Sequence, residues 1–159
     1  MRTSIMILIV AISLFACNKP NEMIKQDNLD TVFEFSVFNS QNEDLLDTAT
    51  TNHYDKSEIK LFYEIDGTLK EVYDPTMDYP RNFIIYKHEN EYRIRVFLNY
   101  TATSDRPITY IQWNKYDNDT IKAFYERNNN SVLKRKIWLN GIEIWNWTTN
   151  GNEYYKILK

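Results

Sequence analysis

The sequence predicts an all-β domain, an antiparallel β-sandwich of immunoglobulin-like type, with a small β-barrel as the alternative. Three observations point there. From Val32 onward, segments alternate apolar and polar residues with a period of two, the spacing of half-buried strands. The three glycines each follow Asp or Asn, in Asp66-Gly67, Asn140-Gly141 and Asn150-Gly151. Those dipeptides supply the positive φ that type I′ hairpin turns require. No window beyond the N-terminal apolar run carries a convincing amphipathic-helix period.

The elements follow in order. "VFEFSVF" (32–38) sets Phe33, Phe35 and Val37 against Glu34 and Ser36, and "EIKLFYEI" (58–65) sets Ile59, Leu61, Tyr63 and Ile65 against Lys60 and Glu64. "YRIRVFL" (92–98) alternates Tyr92, Ile94, Val96 and Leu98 with Arg93 and Arg95. Segments 82–88, 108–115, 120–127, 132–139, 142–147 and 153–158 complete the set. Tight turns between successive strands make the C-terminal half an antiparallel meander. Two longer connections interrupt the strands. Residues 39–56 are acidic and amide-rich, and residues 73–82 hold Pro75 and Pro80, which forbid regular pairing there. Long loops on a sheet scaffold are where binding residues tend to sit.

The N-terminus has a different character. Met1-Arg2 is followed by a run from Ile5 to Phe15 that is apolar apart from Ser13. That is too short to cross a bilayer, which takes about 20 residues, and has the layout of a secretory signal. It ends in Leu14-Phe15-Ala16-Cys17, which resembles a bacterial lipobox, with Phe15 bulkier than usual for its position. The resemblance implies cleavage before Cys17 and lipidation of its thiol. Two or three acyl chains anchor a protein stably where one does not. Cys17 is the only cysteine, so the rest of the chain has no disulfide and no cysteine nucleophile. The expected organisation is a signal peptide over 1–16, a lipidated Cys and flexible tether over 17–31, and a β-domain over 32–159.

Chemistry is sparse. The net charge of −3 is small and mixed, which argues against nucleic acid as a partner. His53 and His88 have no metal-ligand spacing, and no nucleophile elbow, phosphate loop or zinc-protease helix occurs. Glu43, Asp44, Asp47 and Asp55 are a weak calcium constellation without EF-hand spacing. Leu45 and Leu46 between them read better as a loop anchor. No catalytic residue, metal or cofactor is expected.

The tryptophans carry the sharper expectation. A two-residue turn at Asn140-Gly141 pairs Leu139 with Ile142, Trp138 with Glu143, Lys136 with Trp145 and Lys134 with Trp147. Opposed residues share a face. Trp138, Trp145 and Trp147 would then form one row with Lys134 and Lys136, opposite an aliphatic face of Leu133, Ile137, Leu139, Ile142 and Ile144. The row is either cross-strand packing of lysine stems on indoles or a platform for sugar rings or an apolar partner. A one-residue bulge would invert part of it.

The short signal ending in Cys, the polar tether, "FEFSVFNSQNEDLLD" and the "IWLNGIEIW" hairpin resemble small Bacteroidota cell-envelope lipoproteins. Asp-Thr-apolar or Asp-Thr-small triplets at Thr31, Thr48 and Thr120 resemble that phylum's O-glycosylation sites. The resemblance implies a lipid-anchored envelope protein and, its motifs being structural, no activity; the sequence as a whole reads as a non-catalytic binding or structural module at the outer membrane, with a glycan or envelope protein as partner. Two alternatives stand beside it: a carbohydrate-binding accessory lipoprotein using the tryptophan face, and a small hydrolase or enzyme inhibitor.

Overall fold

The computed structural model describes residues 28–101 and 104–159. The signal segment 1–16, Cys17 and the tether as far as residue 27 lie outside the described residues. Eleven strands are formed: β1 (Asn28–Asp30), β2 (Val32–Phe38), β3 (Lys60–Ile65), β4 (Thr68–Glu71), β5 (Phe83–His88), β6 (Glu91–Phe97), β7 (Ile108–Asn114), β8 (Asp117–Asn128), β9 (Ser131–Leu139), β10 (Ile142–Asn146) and β11 (Tyr154–Leu158). No helix occurs among the described residues.

The strands make two sheets. One has the order β1-β9-β8-β7-β3-β4, with β10 also on β9, and the other the order β11-β2-β6-β5. Both keep free edges, so this is an open, sandwich-like arrangement rather than a closed barrel. The meander β7-β8-β9-β10 is antiparallel throughout, as the turns predict. The purely antiparallel expectation fails at two places. β1 runs parallel to β9, and β11 runs parallel to β2. In each case the chain crosses between sheets instead of turning back on itself: Thr31 links β1 to β2, and residues 147–153 link β10 to β11.

The turn chemistry explains which glycines matter. Asp66 and Gly67 have φ of 51° and 74°, and Asn140 and Gly141 have 50° and 86°, so both central positions are left-handed. Asn150-Gly151 lies in the sheet crossover, and Gly151 does not adopt positive φ.

One core joins the sheets. Phe33, Phe35 and Val37 of β2 and Ile94 and Val96 of β6 meet Leu61, Ile111, Trp113, Ile121 and Ile137 from the larger sheet. Leu45 and Leu46 are buried in the same core and anchor the 39–59 connection, as expected. A buried polar knot closes one end. Asp119 accepts hydrogen bonds from Trp113 Nε1 (2.7 Å) and Asn140 Nδ2 (2.7 Å) and pairs with Lys159 Nζ (2.7 Å). Tyr54, stacked on Trp113 with centroids 5.3 Å apart, donates its hydroxyl to Asp117.

The other end is closed by a lysine. β9 carries a bulge opposite Phe124/Tyr125, which reverses the inward parity of its first half. Val132 and Lys134 face the core there, in place of the expected Leu133. Lys134 is 1% exposed. Its ammonium lies 3.0 Å from Asp30 Oδ1 of β1 and 2.8 Å from Glu153 Oε2, and donates to the Val32 carbonyl of β2. Its charge also lies 5.6 Å from the Phe33 ring centroid and 5.3 Å from that of Trp145. One side chain thus ties together β1, β2, β9 and the segment before β11.

Candidate functional site

The predicted tryptophan row is not formed. β10 pairs Ile142 with Leu139 and Glu143 with Trp138 as expected, and then slips by one residue. Trp145 therefore faces Ile137 on the inner side, not Lys136 on the outer side. It is 4% exposed and packs edge-on against Phe33 at 6.0 Å. Ile144, the extra residue of the bulge, packs on the core beside it. Trp138 stays outward and half-buried, with the Arg106 guanidinium 5.7 Å from its ring. Trp147 is 55% exposed and lies under Arg135, 4.3 Å from the ring centroid. Ile142, expected in the aliphatic face, is exposed.

The other sequence candidates are separately engaged. Asp44 accepts from the backbone N–H groups of Leu46 (2.9 Å) and Tyr92 (2.6 Å). Glu43 bonds Asn39, Asp47 caps Ala49 and Asp55 caps Ser57. Asp44 thus has both carboxylate oxygens engaged, while Asp47 and Asp55 each use one in an Asx turn. No three His, Cys, Asp or Glu side chains gather in metal-binding geometry among the described residues. His53 Nδ1 is 2.9 Å from the Thr50 carbonyl, and His88 packs edge-on against Tyr86 at 6.4 Å. Of the triplet threonines, Thr31 is buried, Thr120 half-buried and Thr48 exposed.

Two recesses stand out among the described residues. The first is a groove of about 670 Å³ on the outer face of the four-stranded sheet, between that face and residues 151–154. Alternation along β2 and β6 points Glu34, Arg93 and Arg95 outward while Phe35, Ile94 and Val96 point in. Arg95 grips Glu34 through Nε (2.9 Å) and Nη2 (2.7 Å), and Arg93 pairs with Glu91 at 2.7 Å. The Arg93 guanidinium lies 3.9 Å from the Tyr154 ring centroid, and the Tyr154 hydroxyl shares a 2.6 Å hydrogen bond with Ser36. Burial alone would raise the pKa of Glu34. The Tyr86 hydroxyl and the two guanidiniums outweigh it and hold the carboxyl below its ordinary value. The floor is thus a fixed lattice of planar polar groups with His88, Asn152 and Glu153 at its rim.

The second recess, about 480 Å³, lies between residues 55–57 and the 73–83 connection. Tyr73, Tyr79, Pro80 and Phe83 supply its apolar wall, and Asp55, Lys56, Asp78 and Arg81 its polar one. The connection is braced along its length. Asp74 accepts from Thr76 N (2.9 Å) and Thr76 Oγ1 (2.7 Å), and its own N–H reaches the Pro80 carbonyl at 2.8 Å. Arg81 donates to the carbonyls of Ser57 and Ile59, and Asn82 holds a left-handed φ of 54°. These bonds fix a loop that presents Tyr73 (60% exposed), Met77 (56%) and Tyr79 (46%) to solvent. Tyr79 is stacked on Phe97 of β6, with centroids 6.2 Å apart. Phe97 lines the groove and Tyr79 lines the recess, so the stacked pair joins the two.

Sequence reasoning singled out the 73–82 connection through its prolines but not these tyrosines, because exposure of an aromatic ring in a loop has no periodic signature. No protein-family model, no curated protein and no solved structure matches this chain.

Proposed function

We propose that this chain is a lipid-anchored, non-catalytic binding module of the bacterial cell envelope. Its β-sandwich is of immunoglobulin-like type and holds the binding surface away from an outer-membrane anchor at Cys17. The lipobox-like "LFAC" supports the anchor. The packing of two sheets about one core with a buried tryptophan supports the finer fold type.

One observation carries the binding reading: the braced 73–83 connection keeps Tyr73, Met77 and Tyr79 in water. A loop that has already lost its conformational freedom gives up little entropy on binding, and rigid aromatic side chains supply contact area at low cost. Exposed rings on a fixed scaffold are better explained by a ligand than by stability, since burying them would stabilise the fold more.

The test has two arms. Cys17→Ser should move the protein from the membrane to the soluble fraction, and continued membrane association would overturn the anchor. Immobilised protein should retain a component of solubilised envelope, and a Tyr73→Ala/Met77→Ala double variant with an unchanged melting curve should not. Equal retention by both proteins would overturn the binding surface.

A further inference from the structure

We infer that the ligand is an extended neutral oligosaccharide lying across both recesses, over the Tyr79–Phe97 stack; this rests on the binding reading above. Three features of the surface lead there.

Charge comes first. The groove contributes Glu34 and Glu153 against Arg93 and Arg95, and the recess contributes Asp55 and Asp78 against Lys56 and Arg81. Each balances, apart from His88. A surface so composed neither attracts an anionic polymer nor a polycationic one, whose binding draws on unbalanced charge of the opposite sign.

The chemistry of the lining comes second. A sugar ring is amphipathic, with C–H groups on its faces and hydroxyls round its edge. The tyrosines of the recess offer flat apolar area beside carboxylates, while the groove offers guanidinium, carboxylate, amide and phenol groups. Hydroxyls both donate and accept, so they can satisfy both the cationic donors and the carboxylate acceptors. An apolar peptide would take water from the bonding positions that the Arg95–Glu34 and Arg93–Glu91 pairs leave open, at a cost of about 1–3 kcal/mol for each one left unmet.

Shape comes third. Each recess falls within the roughly 300–1,000 Å³ typical of small-ligand sites, at about 670 and 480 Å³. Both are open, and one lining residue of each, Phe97 of the groove and Tyr79 of the recess, belongs to a single stacked pair. That suits a chain of rings better than a compact ligand.

Titration calorimetry with the full chain in detergent tests this. The probes are cellohexaose, maltohexaose and mannohexaose as neutral oligosaccharides, their disaccharides, and hexagalacturonate as the anionic control. At least one neutral hexasaccharide should bind more tightly than its disaccharide and than hexagalacturonate. Tyr73→Ala, in the recess, and Asn152→Ala, at the groove, should each weaken it by roughly fivefold or more, the scale of one lost anchor or hydrogen bond. Loss on Tyr73→Ala alone, with no gain from chain length, would overturn the two-recess span. Preferential binding of hexagalacturonate, or no binding of any neutral probe, would overturn the neutral saccharide. If the tyrosine-dependent retention of an envelope component persists in that case, the binding reading stands while this inference falls. If that retention is absent too, both fall.

Discussion

Truncating Lys134 tests how this sandwich is held at its N-terminal end. Its side chain is fully buried, whereas its partners Asp30 and Glu153 keep 33% and 46% of their side-chain exposure. Hydrogen bonds to charged groups contribute about 1.5–3 kcal/mol apiece, and breaking a buried pair costs about 3–5 kcal/mol. The two carboxylates regain water when the ammonium is lost, which places Lys134→Ala near the lower end, at about 3 kcal/mol. Lys134→Met keeps the stem between Phe33 and Trp145 and should cost only about 1–2 kcal/mol. Urea unfolding reads this directly. With a slope of about 1–3 kcal/mol per molar, the alanine variant should lose about 1–3 M in midpoint at unchanged slope. Limited proteolysis should also cut sooner at residues 28–31, because β1 keeps only its backbone pairing with β9 once the Asp30–Lys134 contact is gone. Midpoints within about 0.3 M of wild type for both variants would refute the clamp.

Other expectations follow from the same geometry. Trp145→Ala should cost about 3–5 kcal/mol, as a large core truncation, and Trp147→Ala no more than about 1 kcal/mol. Comparable losses measured by denaturation would contradict the β10 bulge. For Asp119, burial alone would raise the pKa. The hydrogen bonds from Lys159, Asn140 and Trp113, with the charge of Lys159, more than offset it and leave the group below its ordinary 3.8. A depressed folded value means that Asp119 stabilises the fold above pH 3.8, and that this contribution is lost as pH falls toward the folded value. The melting temperature of the wild type should thus drop more steeply on acidification through that range than that of Asp119→Asn, which should be less stable at neutral pH. Parallel acid profiles would show that the carboxylate does not contribute in this way.

Most strands were legible because period-two alternation is a local property: β2, β3 and β6 each declare their inward residues without reference to a partner. β4 was not, since Thr68 to Glu71 are all exposed and show no alternation. Nor was β1, where Asn-Leu-Asp reads as tether and becomes a strand only by pairing with β9 and through the Asp30–Lys134 contact. The expected tryptophan row failed to form for a related reason. A bulge is a relation between two strands, and a single extra residue, Ile144, moved Trp145 from the outer face to the core. Lys134 changed sides through the same kind of slip in β9. The parallel pairings depend on residues far apart in the chain, which no window can register.

That distance has a consequence for how the protein comes into being. β2 supplies the fully buried Phe33, Phe35 and Val37 to the core, yet one of its two neighbours, β11, is separated from it by more than a hundred positions: Ser36 meets Tyr154 across 118 residues. Loop closure over such a span comes late and slowly. Until β11 arrives, β2 has one bare edge, and the groove lacks the side that Tyr154 gives it. A nascent chain halted before Tyr154 would carry β2 with an unpaired edge and the groove without one of its sides, so β11 completes both at once.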